Sequence, residues 1–263
     1  MSLNVEITES AENAVVKLHN AYAGEGARPK FILICEHASL FIPPELDGLG
    51  LDAAVISSHV GWDLGALALA KLLMKKLNAP LVAQQVSRLV YDCNRPPEAP
   101  SATPAKSEVF EIIGNQGLSP AARAERATKY YVPFHDMVSA VVENELKHKN
   151  QPIIVTIHSF TGKYYGQDRH VEIGILHDED ARFSDKILDL SKNDEKYKFE
   201  RNQPYGPRDG VTHSLKEYAL PHGLHNVMIE VRNDLIADCY MQESVAKMLA
   251  NYLLAAGELM GET

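Results

Sequence analysis

Residues 153–160 read IIVTIHSF. Isoleucine, valine and threonine are branched at Cβ, stiff, and suited to a pleated strand. A near-continuous apolar run of this length, bounded by Gln151-Pro152, predicts a strand buried on both faces, the kind found in parallel sheets. The run ends in His158 and Ser159. One histidine at the tip of a strand is more often a satisfied core residue than a ligand, but the pattern recurs. FILICEHAS (31–39) runs apolar into Glu36 and His37, and NVMIEVRND (226–234) runs apolar into Glu230, Arg232 and Asp234.

Helical periodicity lies between these strands. In LDAAVISSHVGWDLGALALAKLLMKKLNA (51–79), Leu64, Leu67, Ala68, Leu72 and Leu73 keep helical spacing with lysines outside, and Asp63 stands at the helix start. PLVAQQVSRLVYD (80–92) reads as a strand, and NRPPEAPSATPAK (94–106) as a proline-rich loop. Residues 119–149 predict a long helix with Ser119 as its N-cap, Pro120 in the first turn, and a kink or break at Pro133. HVEIGILHD (170–178) predicts another strand, FSDKILDLSKN (183–193) a short helix, and MQESVAKMLANYLLAAGEL (241–259) a terminal helix for the sheet or a second subunit. The oligomeric state stays open. Strands alternating with helices predict one α/β domain over 1–263, with a mostly parallel or mixed sheet covered by helices on both faces. Ligands of such sheets gather beyond the carboxyl ends of the strands, where His37, His158 and Glu230 all fall.

Composition narrows the function. A formal net charge of −9 gives no basic field for nucleic acid or an anionic membrane. No apolar stretch approaches the ~18 residues of a membrane span. Cys35, Cys93 and Cys239 are three scattered cysteines, which fits neither a disulfide framework nor a cysteine zinc cluster. The polar start MSLNVEITESAEN lacks a secretory core, so a cytoplasmic location is expected.

Two imidazoles and carboxylates converging on an open site make a metal-binding set. Catalytic zinc takes three His, Asp or Glu ligands and keeps an exchangeable position. His37 and His158 are the first two candidates and Asp63 the third, although a carboxylate at a helix start also serves as a cap. His59, four residues earlier, and Glu36, which alternation turns away from His37, are its rivals. Glu230 is better spent as a general base beside the metal. Ser159 has no evident His–acid relay and makes a poor nucleophile candidate.

Taken in order, EHAS (36–39), the helix with Asp63, SRLVYDCNRPP (87–97), IHSF (157–160) and VMIEVRNDL (227–235) resemble the N-formylglutamate amidohydrolase family over roughly 30–255. The layout is also similar to zinc-dependent N-acetylmuramoyl-L-alanine amidases and, more distantly, to zinc carboxypeptidases with a phosphorylase/hydrolase-like fold. The resemblance implies that His37, Asp63 and His158 bind Zn2+, or another divalent metal, and that Glu230 activates water. It implies hydrolysis of a small N-acyl amino acid, first N-formyl-L-glutamate to formate and L-glutamate, a late step in histidine breakdown. The histidine-pathway members carry a Pro-His-Ser-Gly-like motif where this chain has CEHAS, a departure that touches the substrate more than the metal. The alternatives are a peptidase or muramoyl-peptide amidase using the same site, and a binding module that kept the fold.

A glutamate-like ligand calls for cations. Arg88 and Arg95, around the VYDCN turn, and Arg232 offer planar forks for carboxylates, or structural ion pairs. Asn94 could orient a carboxylate or amide, and His213 lies in a loop able to close over the site. Asp92 could pair with Arg95 to hold its loop. His135 reads as core, and His170 and His177 as structural.

Overall fold

The computed structural model of the chain describes residues 15–19 and 28–261. The strand predicted at 153–160 is present as β4 (Ile153–Phe160), buried along its whole length. Around it stand β1 (Val16–His19), β2 (Phe31–Cys35), β3 (Leu81–Gln84), β5 (Ile173–Leu176), β6 (Phe199–Arg201) and β7 (Asn226–Arg232). They form one seven-stranded mixed sheet in the order β1-β3-β2-β4-β7-β5-β6. The central strands β3, β2, β4 and β7 run parallel. β5 runs against β7 and carries β6 with it, while β1 runs against β3 at the far edge.

Alternation divides the strands between two cores. Phe31, Leu33, Ile153, Val155, Ile157, Val227 and Ile229 face α1 (Ala66–Leu77), α4 (Arg182–Ser191) and α6 (Cys239–Gly261). Ile32, Ile34, Val82 and Ile154 face α3 (Val132–Lys147), where Phe134, Val138, Val141 and Val142 are buried. Each large aliphatic side chain removed from water contributes about 1.5–3 kcal/mol. Two such cores offset the cost of burying several charged groups where the sheet ends. Among the described residues no helix is long and apolar enough to cross a membrane.

Three segments differ from the sequence reading. The stretch 80–92 is extended only to Gln84; from Ser87 it coils into turns, because Ser87 Oγ donates to the Gly61 carbonyl and accepts from the Leu89 amide. The helix predicted over 119–149 with a kink or break at Pro133 is divided a few residues before that proline. Ser119 caps α2 (Pro120–Arg126), its Oγ accepting from the Ala122 amide at 3.1 Å, and a wide π-turn at Ala127–Tyr131 leads into α3. Pro133 has no N–H to give, and it sits in the first turn of α3, where none is needed. Asp63 precedes α1 by a turn instead of starting it: its carbonyl accepts from the Ala66 amide, and its amide donates to the His37 carbonyl. His59 and Asp63 therefore share no helix face.

One close approach positions the edge of the site. Gly174 on β5 stands opposite Glu230 in the β7 ladder. A Cβ at Gly174 would lie 1.9 Å from the Gln203 carbonyl oxygen, so only a residue without a side chain lets the 203–205 segment pass there.

Candidate metal centre

The parallel strands β2, β4 and β7 end side by side, and their last residues build the site. On β4 the face opposite Ile157 carries His158; on β7 the register pairs Glu230 with His158 on the same face. β2 ends at Cys35, so His37 is freed from alternation and turns back toward His158. The Asp63 turn, tied by its backbone to His37, brings a carboxylate between them.

His37 Nδ1 lies 3.3 Å from Asp63 Oδ2 and 3.2 Å from His158 Nδ1, and His158 Nδ1 lies 3.0 Å from Asp63 Oδ2. Bonds of about 2.0–2.1 Å at tetrahedral angles hold ligand atoms about 3.3–3.4 Å apart, so this triangle has the size a small divalent cation needs. The chemistry agrees with the geometry. His37 Nε2 stands 2.7 Å from Asp92 Oδ1, and His158 Nε2 stands 3.1 Å from Glu36 Oε2. Asp92 keeps a proton on the His37 nitrogen it meets and Glu36 draws positive charge to His158, so two imidazole Nδ1 atoms crowd around one carboxylate oxygen. Only positive charge makes that arrangement favourable, whether protons on the imidazoles or one cation shared by all three.

Charge counting gives the same result. Glu36, Asp63, Asp92 and Glu230 are all at least 96% buried, and Arg88 is the guanidinium bonded among them. Burial and Arg88 would lower the His37 imidazole, but Asp92 and Asp63 override them and hold it above its ordinary value. Burial is likewise overridden at His158, which Glu36 and Asp63 hold well above the usual range. Despite burial, the Asp63 carboxyl is held far down by His37 and His158. Glu230 differs: burial raises its carboxyl to about 7, and its Oε2 has no hydrogen-bond partner.

His37, Asp63 and His158 thus come together as one buried group able to hold a metal. The two rivals go elsewhere. His59 Nε2 lies 2.9 Å from Glu108 Oε2, and Glu36 backs His158 from behind instead of replacing Asp63. Arg88 donates to Asp63 Oδ1 at 3.3 Å and to Asp92 Oδ2 at 3.1 Å, and its side chain is 29% exposed at the rim. Asn94 spends its amide on a loop, donating to the Val211 carbonyl and accepting from the Ser214 amide. Arg95 donates to the Asn94 carbonyl, and Arg232 is held by Asp234 at 2.7 Å. His213 opens the short helix α5 (His213–Tyr218), with Nε2 2.9 Å from the Tyr131 hydroxyl; burial lowers its pKa.

The sequence reading did not anticipate Asp92 as the partner of His37. The signal was available: an Asp four residues after Arg88 in a turn-forming block can serve two neighbours at once. Carboxylates behind metal-bound histidines orient the ring and raise its basicity. Asp92→Asn is therefore expected to weaken metal affinity by about 10–100-fold, read by competition with a chromogenic chelator. An unchanged affinity would remove Asp92 from the support of the site.

Comparison with known proteins follows this geometry. A sequence model of the N-formylglutamate amidohydrolase family matches residues 30–237, a span holding β2 through β7, the three candidate ligands and Glu230. The crystal structure of gene product Atu2144 from Agrobacterium tumefaciens is similar at 49% identity and a TM-score of 0.91, covering 95% of this chain and 97% of that one. That of an N-formylglutamate amidohydrolase from Ralstonia eutropha JMP134 is similar in fold, at 18% identity and a TM-score of 0.61, covering 95% of this chain and 100% of that one. No curated protein matches the sequence. The family match covers most of the chain and contains the whole site, and the chain belongs to the N-formylglutamate amidohydrolase family.

Proposed function

We propose that this protein is a metal-dependent amidohydrolase for small N-acyl amino acids, with N-formyl-L-glutamate as its first substrate and formate and L-glutamate as products. The observation that carries the reading is the meeting of His37 Nδ1, Asp63 Oδ2 and His158 Nδ1 within 3.0–3.3 Å of one another, beside a carboxylate that bonds to none of the three. When bound, a divalent cation, zinc by the donor set, would acidify water and polarise the amide carbonyl.

The side chains do the rest. Glu230 Oε accepts the proton of the attacking water and returns it to the leaving nitrogen; a buried carboxyl with a raised pKa suits both transfers. Asp92 holds the His37 imidazole in the tautomer that leaves its Nδ1 free, and the Glu36 carboxylate stands 3.1 Å behind His158 Nε2 and favours positive charge on that ring. Arg88, pinned by Asp63 and Asp92, keeps a fixed guanidinium at the rim, where it favours the oxyanion that forms. Asn94 ties the 211–214 loop, and with it His213, against the site.

Purified protein is expected to contain close to one divalent ion per chain and to release formate from N-formyl-L-glutamate, with loss of activity on chelation and recovery on adding zinc. Elemental analysis and a formate assay over a panel of N-acyl amino acids test this. Bound metal without turnover of any panel member would sink the substrate class, and absence of bound metal would sink the metal dependence.

A further inference from the structure

The arginines singled out above are committed to neighbours in the fold, and Arg169 is held differently. It follows the hairpin formed by Lys163–Tyr164 and Gln167–Asp168. Its guanidinium carbon lies 4.3 Å from the centre of the Tyr164 ring, 4.7 Å from that of Tyr205 and 5.8 Å from that of Phe160. Its Nη1 donates to the Tyr205 hydroxyl at 2.8 Å. Among the described residues no carboxylate lies within ion-pair distance of it, although the chain has 35 acidic residues. Rings on its faces hold a guanidinium in a fixed plane and leave its N–H edge for an anion.

The cage stands at the border of the metal centre. Phe160 follows His158 by two residues on β4, so its ring occupies the same sheet face about 7 Å further along. Tyr205 packs against the buried cluster that contains Met228, which shares the Glu230 face of β7. The Tyr205 phenol is raised by burial first and by the Glu230 carboxylate second, so the two lie within electrostatic reach.

We propose that Arg169 is a specificity-determining residue: its guanidinium edge binds the side-chain carboxylate of the substrate and selects N-acyl derivatives of acidic amino acids over neutral ones. This rests on the amidohydrolase reading above. The reacting amide would lie at the His37–Asp63–His158 group and the acidic side chain would extend along β4 past Phe160. Tyr164 and Tyr205 act through Arg169, as positioning residues.

The test compares wild type, Arg169→Met and Arg169→Lys, all zinc-loaded, on N-formyl-L-glutamate and N-formyl-L-glutamine, together with calorimetric binding of L-glutamate. Arg169→Met is expected to lower kcat/KM on the glutamate substrate by about 100-fold, chiefly through KM, and on the glutamine substrate by less than about 5-fold. Arg169→Lys should fall between, since it keeps the charge and loses the flat stacking. L-Glutamate binding should weaken at least about tenfold in Arg169→Met. Equal losses on both substrates, or unchanged L-glutamate binding, would overturn the assignment. If wild type hydrolyses both substrates equally well, the amidohydrolase reading stands and the Arg169 assignment falls. If wild type hydrolyses neither but binds L-glutamate in an Arg169-dependent way, the amidohydrolase reading falls and the anchor stands.

Discussion

His158→Ala is expected to abolish metal binding and to reduce hydrolysis to background. The Nδ1 of His158 meets both other candidate ligands, at 3.2 and 3.0 Å, so its removal leaves two donors on one side of an open space. A second effect follows on the other side of the ring. Glu36 is fully buried, and His158 is the largest influence holding its carboxyl below the ordinary value against burial. Without the imidazole, an uncompensated buried charge remains, a defect of about 3–5 kcal/mol. The sign with pH is distinctive. In the parent, the depressed Glu36 carboxyl adds stability above its unfolded pKa and loses it as pH falls. In the variant burial is opposed only by Ser214 and His37, so that carboxyl should rise and stability should recover as acid neutralises it. Elemental analysis, with melting temperatures from pH 8 to pH 5, checks both parts. A variant that keeps stoichiometric metal would exclude His158 as a ligand.

Glu230→Gln separates binding from turnover. The amide fills the same space, and Glu230 makes no bond to the His37–Asp63–His158 triangle, so metal content should stay at the parent level. Loss of a positioned general base should lower kcat by about 10²–10⁴-fold. The pH profile adds an independent check. Burial lifts the Glu230 carboxyl to about 7, and a bound cation nearby pulls it down again, so the acid limb of kcat/KM should fall below neutrality. Activity is lost as pH drops through that limb, because the base must be ionised to accept a proton. In the glutamine variant the limb should vanish. A limb that persists unchanged would assign it to another group, and simultaneous loss of metal would make Glu230 a ligand.

Much of this site was legible because strands give strong local signals. Long apolar runs ending in His or Glu place those groups at strand ends, and a parallel sheet gathers such ends at one edge. That reasoning reaches His37, His158 and Glu230 from β2, β4 and β7 alone. Asp63 lies in a turn, where no periodicity fixes direction, and came from the type of residue a metal requires. Asp92 and Arg169 were harder still. Asp92 works because Ser87 bonds to Gly61, a contact 26 residues away that converts an expected strand into turns. Arg169 takes its meaning from rings at 160, 164 and 205, and from having no carboxylate within ion-pair distance among the described residues. The short edge strands β1 and β6 were missed for a related reason: four and three residues carry too little pattern to stand out, and the sheet itself completes them.

Gly174 gives this scaffold a point of adjustment one strand across from Glu230. A methyl group there would collide with the Gln203 carbonyl and displace the segment that delivers Tyr205. The ring would tilt, and the arginine stacked on it would swing with it. Libraries built around residues 203–205 should therefore retune which substrates are accepted, whereas position 174, paired with Glu230, ties that choice to the hydrolytic machinery.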